Sequence, residues 1–187
     1  CKFTATGDLL WSRIVSTPQD DEIMGLIETA QGHYLFAGLT NDALGNGGSE
    51  FAVVKTDTAG NVIWKKRYGG TGSDRLNAVV EHDNEYYFLG WSNAGGIGNN
   101  DAVVMKTDTA GNINWVNGYG TLQADRVFNM LYDPDQNSLI VAGYTDYSDS
   151  VTNNRNTLLM SLDLNGQMNW ARSYGSTSTD GHWPTGL

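Results

Sequence analysis

The sequence predicts an all-β fold in which one four-stranded antiparallel unit repeats along the chain. Three observations carry this. The peptide KTDTAGN occurs twice, at 55–61 and 106–112. Tryptophans recur at Trp11, Trp64, Trp115 and Trp170, spaced 53, 51 and 55 residues. The 187 residues include 23 glycines and 3 prolines, which suits short strands and tight turns. Self-similarity at such a period marks an array of small supersecondary units that stack to share a core.

Aligned on tryptophan, the copies share a frame. Aspartate lies seven residues before three of the tryptophans, at Asp57, Asp108 and Asp163. Another lies ten residues after all four, at Asp21, Asp74, Asp125 and Asp180. Tyr68, Tyr119 and Tyr174 follow by four residues, each preceding a glycine, whereas the first copy has Val15 and Ser16 there. In the middle unit the first strand is expected over 74–81. A helical turn over 75–81 or 126–132 is too short between glycines and asparagines to compete. Second strands are expected at 32–40, 86–92 and 138–145, rich in aromatic and β-branched residues. They end in Gly38-Leu39-Thr40, Gly90-Trp91-Ser92 and Gly143-Tyr144-Thr145. Third strands are expected at 51–56, 102–107 and 157–162.

Each third strand leads into a turn of the Asp57-Thr58-Ala59-Gly60 kind. Aspartate opens a type I turn, and glycine takes the left-handed position that closes the hairpin with a bulge. The fourth strand alternates, with Val62, Trp64 and Lys66 on one face and Ile63 and Lys65 on the other. The frame divides the chain into a partial unit at 1–20, full units at 21–73, 74–124 and 125–179, and the start of another at 180–187. Four antiparallel strands at this period are the cue for blades of a β-propeller. A blade cannot bury its faces alone, so the expected partners include the remaining blades of the same propeller or a second copy.

The formal charge is −10, with eleven lysines and arginines. That argues against nucleic acid, which demands a basic stripe. No apolar run has the length of a membrane span, so membrane insertion is not expected. Cys1 is the single cysteine, which leaves no internal disulfide framework. It reads as a fragment boundary in preference to a lipoprotein cysteine, because Lys2-Phe3 runs at once into the repeat.

Residues 101–125 spell D-x-V-V-x-K-x-D-x-x-G-N-x-x-W-x-x-x-Y-G-x-x-x-x-D, and 50–74 follow with small departures. This pattern resembles the repeats of secreted and cell-surface bacterial and archaeal propellers, the SBBP-type seven-bladed group. The resemblance covers nearly the whole chain. It implies the propeller fold and an extracellular or cell-surface location, and it implies little about chemistry, because one fold hosts many activities. A fainter likeness to the quinoprotein repeat fails on spacing and on cofactor ligands, so it adds support for a propeller and none for a redox cofactor.

A tryptophan recurring once per unit in one strand register is expected to pack between neighbouring units. Asp21, Asp74, Asp125 and Asp180 could ring a cation, but aspartate at a turn more simply caps backbone N–H groups. Asp133-Pro134-Asp135-Gln136-Asn137 opens like a calcium loop and lacks both the bidentate glutamate and the turn glycine. Calcium is therefore weighed and set aside, and no cofactor is expected. His33, His82 and His182 sit in different repeat phases without catalytic or metal-ligand spacing. No catalytic residue is assigned.

The stretches between second and third strands, 41–49, 93–100 and 146–156, vary most. Variable loops on a rigid scaffold are where binding resides. Ligand contacts are expected at Asn46, Trp91, Asn93, Asn99, Tyr144 and Asp146. The expected function is a non-catalytic binding or assembly module of a secreted or surface prokaryotic protein, with a protein or glycan partner. The alternatives are a glycan-binding propeller, and an enzyme domain whose catalytic residues lie in blades outside this chain.

Overall fold

The computed structural model describes residues 1–41, 48–94, 100–148 and 153–175, and its regular elements there are all β-strands. A hairpin of β1 (Lys2–Phe3) and β2 (Leu9–Trp11) precedes three four-stranded sheets. The first sheet holds β3 (Asp21–Glu28), β4 (Tyr34–Thr40), β5 (Glu50–Thr56) and β6 (Val62–Tyr68). The second holds β7 (Asp74–His82), β8 (Glu85–Ser92), β9 (Asp101–Asp108) and β10 (Ile113–Tyr119). The third holds β11 (Asp125–Asp133), β12 (Ser138–Ser148), β13 (Asn153–Asp163) and β14 (Met168–Tyr174). Each is an antiparallel meander in chain order.

In the second sheet every expected strand ends within one residue of the observed one. The third sheet differs. Its second and third strands run on, with Asp146 opposite Arg155 and Ser148 opposite Asn153. Asp146 and Asn156 therefore stand on paired strands and not in a loop. The polar composition had suggested a loop, but an opposite-charge pair across the ladder supports its continuation.

Aspartate builds the tight turn before each fourth strand. Asp57 Oδ1 accepts from the N–H groups of Ala59 and Asn61 at 2.9 and 2.8 Å, while the Asn61 amide donates to Oδ2 at 2.9 Å. Asp108 and Asp163 repeat the two backbone bonds. Gly60, Gly111 and Gly166 hold φ of 80°, 76° and 82°, the left-handed region that glycine enters without steric cost. A register shift follows each turn, as expected of a bulged hairpin. It interrupts the alternation locally, so Val62 is exposed although it was expected on the Trp64 face.

The glycines of the mid-repeat signature have a separate cause. First strands bulge between Ile23 and Gly25, Leu76 and Ala78, and Val127 and Asn129. The bulge presses a first-strand carbonyl against the neighbouring strand. A Cβ on Gly38, Gly90 or Gly143 would collide with the carbonyl oxygen of Glu22, Arg75 or Arg126 respectively. Only glycine fits beneath that backbone.

The sheets pack face to face, and strict alternation makes this work. In β8, Tyr86 and Phe88 face the first sheet while Tyr87 and Leu89 face the third, and all four are fully buried. In β9, Val103 and Met105 join the first set, Ala102 and Val104 the second. The middle sheet thus lies between two apolar clusters. First strands stand side by side, β3 against β7 and β7 against β11. A Cβ on Gly25 would come within 3.2 Å of the Ala78 backbone, and the Asn77 amide donates to the Val127 carbonyl at 2.5 Å.

One joint recurs at each sheet boundary. Trp64 reaches from β6 to the turn of the second sheet, where its Nε1–H donates to the Thr109 carbonyl at 3.3 Å. Tyr68 donates its hydroxyl to the Gly111 carbonyl at 2.7 Å, and Lys66 Nζ to Asn112 Oδ1 at 2.9 Å. A Cβ on Gly111 would come within 3.2 Å of the Trp64 ring. At the next boundary Trp115 lies against Gly166 without the indole bond, and Tyr119 donates to the Gly166 carbonyl at 2.7 Å. Before the first sheet, Trp11 lies over Gly60 and donates to the Thr58 carbonyl at 3.2 Å.

Two outcomes follow from the joint and the bulge. Trp64→Ala or Trp115→Ala is expected to cost about 3–5 kcal/mol, the range for truncating a buried aromatic, in denaturant titrations of the purified chain. Gly90→Ala is expected to cost about 1–3 kcal/mol or more, because backbone must move to admit the methyl group; an unchanged midpoint would contradict the packing of β7 on β8.

Candidate functional site

The connections between sheets and the ends of the second and third strands gather at one end of the molecule. Backbone bonds stitch them together. Gly48 N–H donates to the Gly72 carbonyl at 3.0 Å, Asp74 N–H to Ser49 at 2.8 Å, and Asn93 N–H to Ser73 at 3.2 Å. Asp125 N–H donates to Asn100 at 2.6 Å and Asp146 N–H to Ala124 at 2.9 Å. Here a cleft of about 400 Å³ opens between the first and second sheets. Its wall includes Phe51, Tyr68, Asp74, Ser92 and Asp101, with Gly69 and Gly70 at the edge.

The aspartates that begin the first strands are committed to their own connections. Thr17 N–H donates to Asp21 Oδ2 at 2.5 Å and its hydroxyl to Oδ1 at 3.1 Å. Thr121 makes the same two bonds to Asp125 Oδ2, at 2.5 and 3.0 Å. Gly70 N–H donates to Asp74 Oδ2 at 3.2 Å. This is turn capping, and among the described residues no group of three His, Cys, Asp or Glu is placed to hold a metal ion.

Similar bonds give opposite electrostatic outcomes. At half-buried Asp21, burial pushes the carboxyl up, but the hydrogen bonds from Thr40 and Thr17 outweigh it and hold the group below its usual range. Asp125 is fully buried, and there desolvation wins over the bonds from Thr145 and Thr121. The buried Asp101 carboxylate nearby adds to the rise.

The residues expected to bind a ligand are spread along this end. Trp91 lies half-buried with the Arg126 guanidinium 5.1 Å from its ring centroid. The Asn93 side chain accepts from Ser73 N–H at 2.6 Å and so holds an inter-sheet connection. Tyr144 lies between Arg155, 4.5 Å from its ring, and Phe128 at 5.6 Å. Asp146 accepts from Arg155 at 3.2 Å. Asn46 and Asn99 lie outside the described residues, as do Asp180, His182 and Trp183. The Asp133 loop is spent on itself. Asp133 Oδ1 accepts from Asp135 N–H at 3.0 Å, and Asn137 Oδ1 from the Tyr132 hydroxyl at 2.9 Å.

Lys55 and Lys106 are the residues that the sequence reading passed over. Lys55 is buried between the first and second sheets, donating to the Tyr86 hydroxyl at 2.9 Å and reaching the Thr109 carbonyl at 3.5 Å. Burial lowers its pKa and raises that of Tyr86 to about 12. Lys106 pairs with Glu85 at 2.6 Å and reaches the Leu164 carbonyl at 3.5 Å. The signal was parity: Lys55 shares the inward face with Phe51 and Val53. Both lysines work at the opposite end of the strands from the cleft, in the joints.

Asp125 offers a pH test. Its raised folded pKa makes the group favour folding in acid, and that contribution is lost as pH rises from the ordinary aspartate range through the raised value. Asp21, Asp57 and Asp108, all held low, favour folding above the ordinary range and lose it as pH falls through their lowered values. Asp125→Asn keeps an acceptor for Thr121 and removes the charge. Its melting temperature relative to wild type is expected to rise toward neutral pH, with the gain vanishing near about pH 3.

No protein-family model matches the chain, and no curated protein matches it.

Proposed function

We propose that the chain is a segment of a β-propeller, serving a secreted or cell-surface protein as a non-catalytic binding and assembly module. The observation that carries this reading is the repeated joint. At both boundaries between four-stranded sheets a tryptophan ring lies on the glycine of the next turn and a tyrosine hydroxyl donates to that glycine's carbonyl, and first strands stand side by side, which is how blades stand around an axis. The scaffold is held by these joints, and the stitched end carries the described residues that flank the variable stretches.

A glycan ligand is favoured by the cleft between the first and second sheets. It sets the Asp101 carboxylate and the Ser92 hydroxyl beside the half-buried Tyr68 ring. Sugar hydroxyls donate to carboxylates while the apolar sugar face lies on an aromatic ring, a polar and wet contact. The test is a glycan microarray probed with the chain and with a variant in which residues 42–47 and 95–99 are replaced by Asn-Gly turns, leaving the stitching residues Gly48, Ser49, Asn93 and Asn100 in place. The wild type is expected to bind and the variant to lose binding with its melting curve preserved. Binding that survives the exchange would move the site away from this end.

A further inference from the structure

The cleft at the loop end lies between two complete sheets, and its second-sheet wall has a counterpart in every unit. Fourteen residues before the repeat tryptophan stand Glu50, Asp101 and Asn156, and three residues after it stand Arg67, Gly118 and Ser173. Register puts each pair on one face. Ala52 stands opposite Arg67, Val103 opposite Gly118 and Leu158 opposite Ser173. Glu50, Asp101 and Asn156 lie two residues earlier on the same strands, and so on the same side.

The three pairs differ in charge. In the first sheet an acid meets a base, with Arg67 Nε 3.7 Å from Glu50 Oε2. In the third sheet both positions are neutral, Asn156 and Ser173. The second sheet keeps the acid and has glycine in place of the base. Val116 likewise stands where the first sheet has Lys65.

The glycine leaves room. No atom lies within 4 Å of where a Cβ on Gly118 would point. The cleft of about 400 Å³ takes in Gly118 and the buried Asp101, a volume in the range of small-molecule sites. Among the described wall residues the charged side chains are Asp74 and Asp101, with no lysine, arginine or histidine. The stretches 42–47 and 95–99 contain no basic residue either. The remaining wall offers the half-buried Tyr68 ring, the exposed Ile113 and Val116, and the Ser92 hydroxyl.

We infer that this cleft takes a sugar bearing a free amine, with its ammonium group at Asp101 in the space that Gly118 leaves. The inference rests on the glycan reading above and names the class of sugar. The ammonium supplies to Asp101 what the Arg67 guanidinium supplies to Glu50. The apolar face of the sugar lies along Tyr68 and Val116, and a hydroxyl meets Ser92. Selection follows from charge. An N-acetylated sugar presents a neutral amide at the same place, and an acidic sugar brings like charge to two buried carboxyl groups.

Isothermal titration calorimetry of the full 187-residue chain tests this, with a glucosamine trisaccharide and its fully N-acetylated counterpart as probes, in mildly acidic buffer that keeps the amines protonated. The free-amine probe is expected to bind about tenfold or more tightly than the acetylated one, the size of a charge-assisted hydrogen bond. Asp101→Asn, which installs the third unit's residue, is expected to abolish that preference. Gly118→Arg, which installs the first unit's residue, is expected to fill the cleft and lose the free-amine probe. Both variants are expected to keep the wild-type melting curve, and either decides alone if the other fails to fold. Equal affinity for the two probes, or a preference that survives in a folded variant, overturns the inference and leaves the glycan reading in place. A free-amine probe that does not bind overturns it as well. The glycan reading is judged separately, by the neutral glycans of the microarray.

Discussion

The structure depends on one contact, an indole ring laid over a glycine in a left-handed turn. The ring can approach because the glycine has no Cβ, and the glycine is tolerated because the turn needs a positive φ there. Each requirement justifies the other. The aspartate that opens the turn fixes its shape through two backbone N–H bonds, so the surface that receives the ring is rigid before the ring arrives. Tyrosine then adds a hydroxyl bond to the same glycine carbonyl, and lysine a bond to a carbonyl at the turn. Five residue types of the repeat are explained by one joint.

That joint also decides how burial is distributed. The middle sheet is covered on both faces, and its second strand reads Tyr-Tyr-Phe-Leu because neither parity meets water. Fourth strands read differently. Val62, Ile63, Ile113 and Val116 remain exposed, since β6 and β10 border their sheets and contribute mainly the tryptophan, the tyrosine and the side chain between them. Burial is therefore concentrated in second and third strands, with the fourth acting as a clasp.

Architecture was legible in the sequence because period, turn chemistry and parity are local signals. The Asp-to-Gly turn, the bulged hairpin, the strand bounds of the second sheet and the packing role of the tryptophans all follow from spacing. The extension of β12 and β13 was not legible, because it depends on cross-strand pairs such as Asp146 with Arg155 that only register reveals. Asn93 is similar: an asparagine in a variable stretch reads as a ligand contact, while its side chain holds the connection at Ser73. Lys55 was hidden for a related reason. A lysine reads as solvated, and its three acceptors, Gln31 and, across a sheet boundary, Tyr86 and the Thr109 carbonyl, make a buried ammonium tolerable. Sites assembled between units leave their trace in no single unit.

The asymmetry of the joint has a consequence for inheritance. Every unit carries a turn at one boundary and a tryptophan with a tyrosine at the other, so a unit copied or deleted whole in the gene brings both halves with it. The boundary that results again sets a tryptophan and a tyrosine on a left-handed glycine, as at the one it replaced. Divergence is then free to collect in the segments that touch no boundary. The constant spacing from Asp57, Asp108 and Asp163 to Trp64, Trp115 and Trp170, beside the unequal stretches between Thr40 and Glu50 and between Ser92 and Asp101, has the form that such cassette duplication leaves behind.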